Sequence, residues 1–205
     1  VGSVGTVGSG GVDAENPHHA TSLQLRFFVD CSLQCARSLE FLHSRNILHR
    51  DLKSLNFLVV RGVDGSLVVK LADMDRAVQL ESNSVDAWEE KEPSQDIVGT
   101  VQWAAPEVLR MEEHSSTRAS DVYSLGVVCW ECLSLCPPFG SLSFKDIVRL
   151  VTSGQRLPIE TGTSRETVEM FERCWSGTPG ERPEASELVS FFESRLDSLS
   201  TLSEL

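Results

Sequence analysis

The chain has 205 residues, 40% of them hydrophobic, which is enough for one core of ordinary size rather than several. A net charge of -12 makes nucleic acid and anionic membrane surfaces poor partners. No uninterrupted apolar run reaches the ~18 residues that a membrane-spanning helix needs, and the most apolar helical stretch carries Asp121 and Glu131.

Residues 1–20 begin with glycine, serine and valine and read as a flexible linker. Thr21-x-x-Gln24 has the spacing of a capping box and predicts a helix from there to about Ser44. Cys31 and Cys35 share a stripe of that helix with Leu25, Phe28, Leu39 and Leu42, so they read as small buried hydrophobes rather than ligands. The run His49-Arg50-Asp51-Leu52-Lys53-Ser54-Leu55-Asn56 follows, with a carboxylate, an ammonium and an amide close together. Phosphoryl transfer needs an oriented hydroxyl, a metal-bound triphosphate and positive charge near the transferring oxygens. Asp51 suits the hydroxyl proton, Lys53 the γ-phosphate, and Asn56 a magnesium ion. Taken alone, the run also reads as a polar surface loop.

Phe57–Val60 and Ser66–Leu71 are β-type runs joined by Arg61-Gly62-Val63-Asp64-Gly65, a hairpin pattern. It sets Asn56 just before one strand and Asp73 just after the other. Leu80–Asp96 is polar and acidic without a period, the pattern of a mobile loop. Ala119–Leu133 is apolar on nearly every face, as a helix buried all round should be. Ser143 is positioned to cap a short helix, and Thr163-x-x-Glu166 to start another. Pro183 opens a last helix, with a stripe through Ala185, Leu188, Val189, Phe192 and Leu196. Residues 198–205 form a Ser-rich tail. The six cysteines lack a second ligand pair for a metal and fit a reducing, cytoplasmic setting.

The 49–56 run resembles the catalytic loop of eukaryotic-type protein kinases. Four further segments follow in that family's order. Lys70–Asp75 stands where kinases carry Asp-Phe-Gly, and Gly99–Glu107 looks like the close of an activation segment. Asp121–Glu131 is similar to the buried central helix, and Cys174-Trp175 with Glu181-Arg182-Pro183 to the approach to the last one. From about Ser22 to Leu196 the chain resembles a kinase C-terminal lobe, nearest to the tyrosine-kinase-like serine/threonine group. The resemblance implies an α+β, predominantly α fold, with residues 21–197 as the lobe and a small β-hairpin at its active edge. The N-terminal lobe is expected to be absent, because residues 1–11 lack the G-x-G-x-x-G register and Lys53 is the first lysine. A fragment of a longer protein, inactive by itself, is the corresponding expectation, and membrane tethering of that parent stays open.

The resemblance further implies a serine/threonine protein kinase, an enzyme that moves the γ-phosphate of ATP to protein hydroxyls with magnesium. It assigns Asp51 to orienting the hydroxyl and taking its proton, and Lys53 to the charge of the transferring phosphate. Asn56 and Asp73 become the magnesium ligands. Leu58 matches the residue beneath the adenine ring and equally suits a core strand. Lys53 with Thr100 marks serine/threonine specificity, with Thr100 helping to position the substrate. Arg50 resembles the arginine that grips an activation-segment phosphate, for which Ser82, Ser84 and Ser94 offer hydroxyls. Glu107 and Arg182 match a buried ion pair, and Asp121 the residue that holds the catalytic-loop backbone. Met74 and Asp75 depart from the family's phenylalanine and glycine. Methionine is expected to fill an apolar slot, whereas aspartate replaces a residue free to adopt positive φ. A pseudokinase or docking module without catalysis is the alternative that this departure and the missing lobe support.

Overall fold

A computed structural model describes residues 17–80 and 101–202. Helix α1 (Pro17–Ser44) starts inside the stretch expected to be linker. Proline suits a first helical turn because its missing N–H would have no partner there and its φ is preset. Thr21 therefore lies within the helix and does not cap it. Gln24 does not turn back to close a capping box: its amide donates to the Leu133 carbonyl at 3.0 Å.

Beyond α1 come β1 (Ile47–Leu48) and a 3-10 turn (Ser54–Asn56) that leads directly into β2 (Phe57–Arg61). Strand β2 pairs antiparallel with β3 (Leu67–Leu71), from Phe57↔Leu71 to Arg61↔Leu67, forming the expected hairpin. Its turn uses Gly65 at φ 84, where a side chain would be strained, and the Asp64 carboxylate accepts from the Ser66 amide at 3.0 Å. Gln34 on α1 supplies β3 with an extra rung. Its Nε2 donates to the Leu67 carbonyl at 3.0 Å and its Oε1 accepts from the Val69 amide at 2.8 Å. Strand β4 (Val78–Gln79) pairs antiparallel with β1, Ile47 opposite Gln79 and Leu48 opposite Val78. The chain after Asp73 is thereby clipped beside the entrance to the 49–56 loop.

The remaining helices are α2 (Pro106–Leu109), α3 (Arg118–Ser134), α4 (Phe144–Thr152), α5 (Arg165–Cys174) and α6 (Ala185–Leu202). Thr117 and Ser120 form a capping box at α3. Ser143 caps α4 as expected. Ser164, not Thr163, caps α5 by accepting from the Thr167 amide. Helix α6 starts just past Pro183 and continues through Leu202, so residues 198–202 are helical rather than tail.

Helix α3 is the axis of the core. Between Ser120 and Trp130 every residue but Ser124 is buried, as its all-round apolar pattern predicts. Phe28 of α1 meets Phe171 of α5 at 6.3 Å between ring centroids and Phe192 of α6 edge-on at 5.7 Å. Phe171 in turn stacks on Trp175 at 5.1 Å. Cys31, Cys35, Cys129 and Cys174 are buried, and all six cysteines are free. Burial pushes the Cys31 thiol up to about 11 and that of Cys174 up to about 12, so these thiols pack as hydrophobes. Among the described residues, no helix is long and apolar enough to cross a membrane.

Candidate active site

Asp121, in the first turn of α3, organises the 49–56 loop. Its Oδ2 accepts from the His49 amide at 2.8 Å and its Oδ1 from the Arg50 amide at 2.9 Å. His43 Nε2, buried at the end of α1, donates to Oδ2 at 3.2 Å. A carboxylate has enough lone pairs for all three donors. The two backbone bonds hold Arg50 at φ 67, a left-handed conformation that few side chains adopt without compensation.

That bend delivers Asp51 and Lys53. Asp51 is buried, and Lys53 Nζ lies 2.6 Å from its Oδ2. Asn56, also buried, donates its side-chain amide to the Asp51 carbonyl at 2.8 Å. The Asn56 carbonyl accepts from the Ala72 amide at 2.8 Å, which draws the start of β2 and the end of β3 together one residue before Asp73. His49 spans the same gap. Its Nε2 faces the Ala72 carbonyl at 3.3 Å and its Nδ1 faces the Asp51 amide at 3.3 Å. A carbonyl only accepts and an amide N–H only donates, so the two contacts fit the tautomer that donates from Nε2 and accepts at Nδ1.

Asp73 is exposed and has φ 60. Its Oδ1 accepts from the Asp75 amide at a long 3.5 Å, the local turn that lets aspartate tolerate this conformation. Asp75 itself has no positive φ, so its replacement of a glycine carries no backbone strain here. Met74 is 43% exposed and fills no buried slot, contrary to expectation. Leu58 is 55% exposed on the hairpin, which favours a contact surface over a core role. Thr100, Ser82, Ser84 and Ser94 lie outside the described residues. The donors offered by Asn56 and Asp73, one amide oxygen and one carboxylate, are hard oxygens suited to magnesium, which takes few protein ligands and completes its shell with phosphate and water.

Glu107 and Arg182 form a buried two-pronged pair, Nη1 to Oε1 at 2.6 Å and Nη2 to Oε2 at 2.8 Å. Arg182 also donates to the Ala119 and Ser176 carbonyls and lies over the Tyr123 ring. Four of its five N–H groups thus have acceptors, which is what makes a buried pair tolerable.

One cluster is not evident from the sequence. Glu131, in the last turn of α3, accepts from Trp103 Nε1 at 2.7 Å through Oε2 and from Ser54 Oγ at 3.1 Å through Oε1. Burial raises its carboxyl above the ordinary value, and these two bonds oppose that rise. The signal available in the sequence was a second acidic residue, after Asp121, in an otherwise apolar helix. A pocket next to the loop is lined by Arg50, Asp51, Arg76, Trp103, Ser120 and Ser124. It places two arginines and the hydroxyls of Ser116, Ser120 and Ser124 beside Asp51.

A family model described as protein tyrosine and serine/threonine kinase matches residues 8–192. A probable serine/threonine-protein kinase of Dictyostelium discoideum, drkD, is 35% identical over 80% of this chain and 12% of its own length. The serine/threonine/tyrosine-protein kinase HT1 of Arabidopsis thaliana is 31% identical over 87% of this chain and 42% of its own. The serine/threonine-protein kinase CTR1 of the same plant is 36% identical over 75% and 18%. The chain thus spans less than half the length of each of these relatives.

Proposed function

The chain belongs to the protein tyrosine and serine/threonine kinase family, and we propose on that premise that it forms the C-terminal lobe of an enzyme that phosphorylates serine and threonine hydroxyls of proteins with ATP. The observation that carries this reading is the Asp51–Lys53 pair at 2.6 Å, on a loop whose backbone is held by Asp121. Asp51 accepts the proton of the incoming hydroxyl. As it does so its attraction for Lys53 falls, and the ammonium charge becomes available to the transferring phosphoryl oxygens. Asn56 and Asp73 would hold magnesium, which bound with ATP neutralises charge on the phosphates. Leu58, exposed on the hairpin, offers an apolar face to the adenine ring.

Lys53 with Thr100 supports serine/threonine over tyrosine. The partners of this reading are ATP and a protein substrate, and the acidic chain leaves nucleic acid aside. Six free thiols support a cytoplasmic location for this region. The test is transfer of radiolabel from γ-labelled ATP to a general protein substrate by the full-length protein, followed by phosphoamino-acid analysis. Label on serine or threonine is expected. Nucleotide binding without transfer would favour the docking module, and label on tyrosine alone would overturn the specificity.

A further inference from the structure

We propose that Arg118 is a positioning residue that, through Asn46, fixes the far end of the stretch carrying Asp73. That stretch is held at two points. The Ala72 amide donates to the Asn56 carbonyl at 2.8 Å just before Asp73, and the Leu80 amide donates to the Asn46 carbonyl at 2.7 Å just after β4. Between them the Ala77 amide closes a turn on the Met74 carbonyl at 2.9 Å. The second hold is only as firm as Asn46, which sits between α1 and β1 at φ 56. Asparagine visits this left-handed conformation more readily than most residues. Its side chain is tied down as well, because Arg118 Nη2 donates to its Oδ1 at 2.5 Å across 72 residues of sequence. Gln79 braces the neighbouring residue, its Nε2 donating to the Arg45 carbonyl at 2.7 Å. Arg118 is the first residue of α3, and Asp121 lies in the same turn. That opening turn therefore holds the chain twice, at Asn46 by Arg118 and at the 49–50 bend by Asp121. Under the kinase reading Asp73 is a magnesium ligand, and only this functional consequence rests on that reading.

The chemistry of the pair predicts which substitutions keep the hold. Asn46→Gly retains the positive φ without strain and removes only the Oδ1 acceptor, so it separates the Arg118 bond from the backbone conformation. Asn46→Ala removes the acceptor and strains the turn. Arg118→Lys keeps a cationic donor on a long stem, whereas Arg118→Ala removes it. Two side chains that act through each other give the same effect when either is removed, and removing both adds nothing.

The experiment is amide hydrogen exchange on the 205-residue chain and its N46G, N46A, R118A, R118K and N46G/R118A variants. R118A and N46G are each expected to speed exchange about fivefold to tenfold in 46–48 and 78–80, with α5 and α6 unchanged. N46G/R118A should match either single variant, and N46A should exceed N46G. R118K should lie closer to the unsubstituted chain than to R118A. If R118A fails to fold, N46G and R118K decide the matter. Unchanged exchange in N46G, effects of N46G and R118A that add in the double variant, or an R118A effect confined to the first turn of α3 would overturn the proposal. In the full-length protein, R118A should raise the magnesium concentration for half-maximal transfer about threefold or more. Its kcat at saturating magnesium should be nearly unchanged, and R118K should restore the magnesium requirement. A lower kcat with an unchanged magnesium requirement would overturn the positioning role. The expected exchange pattern with no transfer by any variant, nor by the unsubstituted protein, would uphold the coupling and count against the kinase reading instead.

Discussion

Arg50 occupies a left-handed conformation that an arginine would not choose unaided, and the donors and acceptors around it show what keeps it there. Its own amide and that of His49 both end on Asp121. Asp121→Ala strands both, together with the buried His43 ring. We expect a loss of about 1–3 kcal/mol for each stranded donor, read by urea denaturation, and a smaller loss for Asp121→Asn, which keeps one acceptor. Stability equal to that of the parent would show that the bend holds itself. Glu131 gives a second prediction, of opposite sign. Its carboxyl is raised in the folded state by burial. Its contribution to stability is therefore complete below the unfolded value of about 4.3 and is lost as pH rises through the folded value. Glu131→Gln removes that loss, so its melting temperature should exceed that of the parent by a margin that grows from pH 4.5 to pH 7. A margin that shrinks over this range would contradict the assignment.

At the scale of elements, α3 was the most legible part of the sequence, because a helix buried on all faces announces itself by a lack of polar faces. The β2–β3 hairpin was legible for a similar reason, with β-type runs on either side of a glycine-bearing turn. Helix starts were less so. Thr21 and Thr163 fit capping patterns, yet Pro17 starts α1 earlier and Ser164 caps α5, because neighbouring residues offered equally good starts. The Ser54–Glu131–Trp103 cluster had no pattern to read, since it joins three distant positions with no shared period. The close approach of α3 to α5 was equally hidden. It depends on Gly126, where a Cβ would come within 2.8 Å of Cys174 Cβ and 2.9 Å of Trp175 Nε1. Gly126→Ala should lower stability by about 1–3 kcal/mol through overpacking, measured by thermal denaturation. No loss would mean that the two helices separate easily.

On the scale of the molecule, the core of the described residues backs the cleft that holds Asp51. The aromatic cluster of Phe28, Phe171, Phe192 and Trp175 reaches α3 through Trp175, which lies against Gly126. The same helix carries Asp121 at its start and Glu131 at its end, each reaching a different part of the same loop. The residues proposed for phosphoryl transfer could be picked out because they sit close together along a short loop, and their roles remain part of the proposal. The conformations at Asp73 to Asp75 could not be, because positive φ falls on Asp73 rather than on the position where the family carries glycine. The central claim is that Asp51 acts as the proton acceptor on a loop that does not need it for folding. The most direct measurement compares phosphoryl transfer by the full-length protein with that of its Asp51→Asn variant, with thermal denaturation of both as the control on folding. The account predicts a fall in kcat of roughly 10²–10⁴-fold with the melting temperature little changed. Equal kcat in the two proteins would contradict it.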